Sequence, residues 1–228
     1  MLNLKMSEDK SDKIHMLWPL VVGEYFNHKH ILIKDDLIKF FNDYEKKLPE
    51  GNEQLREKDY VGNYNLYQSK YDLHLENNEI LKELHEFIAK SILSTCKIAN
   101  KKSIEEFKNN DPKFKVNINE SWFIRYNTAG VVYPHIHDGC SWCCVYYVNI
   151  GKDSKKMNGS TFFLRPYSGG TSKIDFGGKY LRNDTKVFTA EEGKLLVWPN
   201  YLYHGSHPYV GKGSRTIVSV NSTVDQIE

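Results

Sequence analysis

Hydrophobic positions change their period once along this chain. Over residues 34–47, Leu37, Ile38, Phe40, Phe41 and Tyr44 recur at helical spacing, with Asp35 and Asp36 at the predicted start, where a helix dipole favours acid. Residues 78–99 carry the clearest stripe: Ile80, Leu81, Leu84, Phe87, Ile88, Ile92 and Leu93 fall on one face and charge on the other. A short apolar segment, residues 17–25, reads as an edge strand. Residues 50–65 and 101–115 are polar and read as loops, the second broken by Asp111-Pro112.

Past residue 115 the period is that of strands. Residues 116–126 partly alternate, and Thr128-Ala129-Gly130 reads as a turn. Residues 143–150 are nearly all apolar, and residues 160–164, 187–188, 194–198 and 216–223 supply further strands. Helices first and strands later predict an α+β domain whose β part is a sandwich or barrel. The expected division is a flexible N-terminal arm over 1–15 and one domain over 16–228, with helical support at 16–115 and a β core at 116–228. The 15 Tyr and 11 Phe, many of them between Trp122 and Tyr203, agree with a strand-rich second half.

Charge narrows the partners. The 31 basic and 29 acidic residues are interspersed, which gives no signature for nucleic acid or an anionic membrane. Lys97, Lys101 and Lys102, and Lys152, Lys155 and Lys156, read as solvated surface. No apolar run approaches the length of a membrane span, and the polar N-terminus lacks the apolar segment of a secretory signal, so a cytoplasmic location is expected. Cys96, Cys140, Cys143 and Cys144 are then expected reduced and packed, with Cys143 and Cys144 on opposite faces of a strand.

The chemistry-bearing residues lie in the strand-rich half. His135 and His137 are two apart, so in extended backbone they face the same way and can share one ion. Pro134 suits a strand start. His204 follows a buried run and a proline turn, a layout that can bring it against the first pair. Three such donors with open positions suit a non-haem metal such as Fe(II). His15, His28, His30, His74, His85 and His207 read as ordinary surface or core residues. Arg215 begins a strand on which Arg215, Ile217, Ser219 and Asn221 share a face; an inward arginine needs an anion, and a dicarboxylate would supply one.

These residues resemble the Fe(II)- and 2-oxoglutarate-dependent oxygenases, in particular a subgroup from marine bacteria and their phages related to the prolyl 4-hydroxylases. The resemblance runs from Leu17-Trp18-Pro19-Leu20 through Ser121-Trp122-Phe123-Ile124-Arg125-Tyr126-Asn127 and Gly130. It continues through Pro134-His135-Ile136-His137, Val145-Tyr146-Tyr147-Val148 and Glu192-Gly193-Lys194-Leu195-Leu196-Val197-Trp198-Pro199 to His204 and Arg215. It implies a double-stranded β-helix (jelly-roll) core with N-terminal helices packed on one sheet. The implied cofactors are Fe(II), 2-oxoglutarate and O2, with room for ascorbate. The implied reaction couples decarboxylation to succinate with oxidation of a substrate C–H bond, most simply hydroxylation.

By position, His135 and His204 would be iron ligands, and Arg215, Tyr126, Thr161 and Asn221 would meet the co-substrate. The family reads H-x-D or H-x-E where this chain has His137, with Asp138 one residue late. Either His137 binds or a bulge brings Asp138 in; strand alternation favours His137. Tyr133, Trp142, Tyr147 and Phe163 are candidates for the substrate pocket, and residues 151–158 and 169–186 for its entrance. The substrate is expected to be a small molecule or peptide, and a homodimer is compatible with the sequence. Two other functions fit the histidines: a cupin-like three-histidine metalloenzyme without 2-oxoglutarate, and a non-catalytic jelly-roll binding domain. Arg215 and Tyr126 speak against the first, the intact histidines against the second.

Overall fold

A computed structural model describes residues 20–52, 63–101, 113–152, 157–167, 176 and 183–227. The expected arm over 1–15, the first part of the expected edge strand and most of the 169–186 stretch lie outside these residues. Among the described residues nine strands and two α-helices follow the order β1 (Gly23–Phe26), α1 (His30–Lys47), β2 (Asn63–Gln68), α2 (Glu79–Ala99), β3 (Lys113–Val132), β4 (Trp142–Asn149), β5 (Thr161–Leu164), β6 (Thr185–Phe188), β7 (Lys194–Pro199), β8 (His204–Ser206) and β9 (Arg215–Ile227). They form a six-stranded sheet, β1-β7-β4-β9-β3-β2, and a three-stranded sheet, β6-β5-β8, with antiparallel pairing in both.

The large sheet is covered on both faces, so its central strands are apolar on both. Leu37, Phe41, Leu84, Ile88 and Ile92 of the helices pack on Phe123, Trp142, Cys144, Tyr146, Val197 and Val218. On the other face Trp122, Cys143, Val145, Tyr147, Leu196, Trp198 and Ile217 meet Phe163 of the small sheet. Asn78 caps α2, its Oδ1 accepting from the amides of Ile80 and Leu81 at 3.0 and 3.1 Å, as the stripe over 78–99 predicts. No helix among the described residues is long and apolar enough to cross a membrane.

Several expectations shift. Helix α1 starts at His30, so Asp35 and Asp36 fall beyond its first turn and do not start it. Strand β2 begins at Asn63 inside the first expected loop, and β3 begins at Lys113 inside the second. The expected turn at 128–130 is an irregularity within β3: Ala129 takes a φ of 65° and the chain continues in strand to Val132. A second irregularity decides what faces where. Ile118 pairs with Ser222 but Glu120 with Asn221, leaving Asn119 as an extra residue. Val116 and Ile118 therefore pack under the helices, whereas Trp122, Ile124 and Tyr126 face the small sheet.

Candidate metal centre and co-substrate cavity

The segment after β3 is pinned to β8 by backbone bonds. His135 and His204 exchange amide-to-carbonyl bonds at 3.0 and 3.1 Å, and the His137 amide donates to the Asn200 carbonyl at 3.2 Å. Asn200 Nδ2 returns a bond to the His137 carbonyl at 3.0 Å, and Ser206 Oγ accepts from the Val132 amide at 3.0 Å. Three rings converge as a result. The potential ligand atoms of His135, His137 and His204 lie within 4.8 Å of one another, and the Nε2 atoms of His137 and His204 are 3.2 Å apart. Two nitrogens bound at about 2.1 Å to one ion and at right angles would be about 3 Å apart, close to this spacing.

The proton positions also suit a metal. His135 Nδ1 faces the Tyr133 carbonyl at 2.8 Å and His204 Nδ1 the Leu202 carbonyl at 2.9 Å. A carbonyl only accepts, so each Nδ1 carries the hydrogen and each Nε2 keeps its lone pair for the centre. Burial lowers the pKa of His135, pushes that of His137 down to about 3 with help from His135, and holds that of His204 well below the ordinary value. Three neutral imidazoles are the donor set a divalent transition ion takes. The Trp198 ring lies 4.6 Å from that of His204 and tilted to it, with Phe163 edge-on to Trp198, and Trp122 lies 6.0 Å from the His137 ring. Asp138 is exposed and outside the convergent group, though it lines the same cavity.

This cavity has a volume of about 400 Å³ and runs along the face of β3 and β9 that is turned toward the small sheet. At one end Arg215 is 1 % exposed, its guanidinium carbon 4.1 Å from the Tyr126 ring centre and 5.2 Å from that of Tyr147. Its Nε and Nη1 are buried with no hydrogen-bond partner. A buried guanidinium in this state is costly unless an anion meets it. Gly159 lies flat against it: a Cβ there would come 2.5 Å from Arg215 Cδ. Thr161 joins this end. Its Oγ1 lies 2.6 Å from the Tyr147 hydroxyl, which also accepts from the Thr161 amide at 3.1 Å.

Not every expected residue stands where it was expected. Asn221 shares the face of Arg215 but pairs with Glu120, while Arg215 pairs with Tyr126. Six residues of strand separate the two by about 20 Å, too far for both to hold one small dicarboxylate. Trp142 packs among the helix-facing residues with Cys144 and Tyr146, because alternation along β4 turns Cys143, Val145 and Tyr147 to the cavity side instead. Tyr147 and Phe163 are buried supports of the wall, and Tyr133, half-exposed, borders the cavity. Glu120, a cavity residue, has no signal in the sequence, because its place depends on the pairing of β3 with β9. The four cysteines are free thiols, with Cys143 and Cys144 on opposite faces as expected.

Residues 120–221, which hold all three histidines and Arg215, match the model of a family described as "Putative 2OG-Fe(II) oxygenase". That segment is similar to the 2OG-Fe(II) oxygenases. Fe(II) and 2-oxoglutarate are the cofactors the family name carries. No curated protein sequence matches this chain. Among solved structures, it is similar to AviO1 from Streptomyces viridochromogenes Tue57, at 14% identity and a TM-score of 0.55, with 89% of each chain covered. A prolyl-4-hydroxylase from Pseudomonas putida aligns at 11% identity and a TM-score of 0.52, over 90% of this chain and 93% of that one. HygX from Streptomyces hygroscopicus, solved with nickel and 2-oxoglutarate, aligns at 9% identity and 0.51, over 89% and 82%. At such identities the likeness is one of fold.

Proposed function

We propose that this protein is a hydroxylase-type Fe(II)- and 2-oxoglutarate-dependent oxygenase in which His135, His137 and His204 hold Fe(II) and Arg215 anchors 2-oxoglutarate, in a single domain over 16–228 with a jelly-roll core over 116–228. The observation that carries it is the conjunction in one cavity: a buried arginine with unpaired N–H groups at one end and three lone-pair-bearing imidazoles beside it. A cupin-like three-histidine enzyme has no use for such an arginine. The two facing sheets and the fold likeness support the jelly-roll.

Iron with 2-oxoglutarate supplies oxidising power toward a C–H bond, with succinate and CO2 as co-products. The chain does the rest. Arg215 offers a planar fork of N–H donors to the far carboxylate, packed against the Tyr126 ring and against Gly159. Thr161 and Tyr147 orient that end through their shared bond. Carbonyls of Tyr133 and Leu202 fix the tautomers of His135 and His204. Trp122, Trp198 and Phe163 keep water from the ring side of the histidines.

The ligand set is tested by iron retention. His137→Ala loses the metal and Asp138→Ala keeps it; an emptied site in the aspartate variant alone reverses the assignment. The co-substrate is tested by calorimetric titration of 2-oxoglutarate into Fe(II)-loaded protein without O2. Removing one partner of a buried charged pair costs about 2–5 kcal/mol, so Arg215→Ala weakens binding by at least about thirtyfold. Equal affinity in the two proteins contradicts the anchor.

A further inference from the structure

The two ends of the cavity carry opposite charge. Away from Arg215, about 20 Å along the strands, Glu120 of β3 faces Asn221 of β9. Asn221 Nδ2 donates to Glu120 Oε2 at 2.7 Å, which fixes the carboxylate and turns the amide oxygen away from it. Asn221 is 4 % exposed, and its Oδ1 is buried with no donor. Trp122, two residues from Glu120 on the same strand, is 6 % exposed, and its ring lies 6.0 Å from that of His137; its Nε1 is unpaired as well. Asp138 borders the same cavity. Among the described residues no lysine or arginine pairs with Glu120 or Asp138.

A carboxylate beside an unsatisfied carbonyl oxygen and an indole face recognises a cation that carries N–H donors. Coulomb attraction, hydrogen bonds and the ring quadrupole act together there. The same charges sort ligands. A dicarboxylate is repelled by Glu120 and Asp138 and drawn to Arg215, and a cation takes the reverse course. Charge balance agrees. With the ion offset by the dicarboxylate and Arg215 offset by one acidic side chain, the cavity keeps a single negative charge that a monocation would neutralise.

We infer that Glu120, Asn221 and Trp122 form the substrate subsite of this enzyme, and that it takes a primary ammonium or guanidinium group, holding the adjacent carbons toward the three histidines. The unpaired Trp122 Nε1 leaves room for one acceptor oxygen beside the cation. The inference rests on the oxygenase reading above, because only that reading makes the Arg215 end the co-substrate's.

The test uses the full chain with Fe(II), without O2, in calorimetric titrations. 4-Amino-1-butanol and butylguanidine are the monocationic probes and 1,4-butanediol the neutral one; 2-oxoglutarate is titrated in parallel. Wild-type protein is expected to bind at least one cationic probe about tenfold or more tightly than butanediol. Glu120→Gln is expected to lose that margin while keeping its 2-oxoglutarate affinity. Butanediol binding as well as both cations overturns the inference. So does Glu120→Gln binding the cations like wild type, or no cation binding where 2-oxoglutarate does. Cation binding retained without any 2-oxoglutarate binding contradicts the oxygenase reading instead. Should Glu120→Gln not fold, wild-type protein still decides: added salt is expected to weaken the cations and not the diol, and cation affinity indifferent to salt overturns the inference.

Discussion

Arg215 and Gly159 work as a unit. The guanidinium is buried between two tyrosine rings, and the glycine, at a φ of +61°, lies where any side chain would press on it. Gly159→Ala adds about 1–2 kcal/mol of left-handed strain and displaces the arginine. It is expected to weaken 2-oxoglutarate binding while iron retention is unchanged. Gly139→Ala is the control: its φ is +69°, but a Cβ there meets nothing within 4 Å, so strain alone results and 2-oxoglutarate affinity holds. A Gly159→Ala protein that binds 2-oxoglutarate like wild type would show that the close approach is unimportant. At this scale the sequence is informative where spacing encodes a face. His135 and His137 two apart, and Arg215 at the head of an alternating strand, are readable because period 2 sets the direction of a side chain. Glu120 and the true place of Asn221 are not, since they depend on which residue of β3 lies opposite which residue of β9.

Among the elements, β3 shows what local pattern leaves out. One extra residue, Asn119, reverses the faces of everything after it, and no hydrophobic period announces it. Strand β2 is hidden for a related reason: at the sheet edge it is half-exposed and its polar residues read as loop. Helix α2 is legible because its stripe is long and Asn78 caps it. It is also tied to the sheet by His85, whose Nε2 lies 2.9 Å from Ser121 Oγ. Burial, then repulsion from His74, pushes the His85 pKa down to about 4 from 6.5. The unfolded chain therefore takes up a proton at a higher pH than the folded one. The stability His85 contributes is whole above about pH 6.5, falls as the pH drops toward about 4 and is lost below it, about 3 kcal/mol in all. Urea unfolding between pH 7 and pH 4.5 should show a steeper loss for wild type than for His85→Gln. Parallel curves would mean that His85 titrates normally.

Across the whole molecule, two helices cover one face of a six-stranded sheet and three strands cover the other, leaving a polarised cavity between the sheets. The α+β class, the two helices and most strands follow from the change of period. The closure of the cavity does not, because it arises from the pairing of His135, in the segment joining β3 to β4, with His204 at the start of β8. The central claim is that this cavity runs an Fe(II)- and 2-oxoglutarate-dependent reaction. Succinate released from 2-oxoglutarate, when O2 is admitted to Fe(II)-loaded protein, tests it most directly. The account predicts succinate from wild type, and far less from Arg215→Ala at equal iron content. No succinate from wild type in the presence of cationic candidate substrates, or equal amounts from the two proteins, would contradict it.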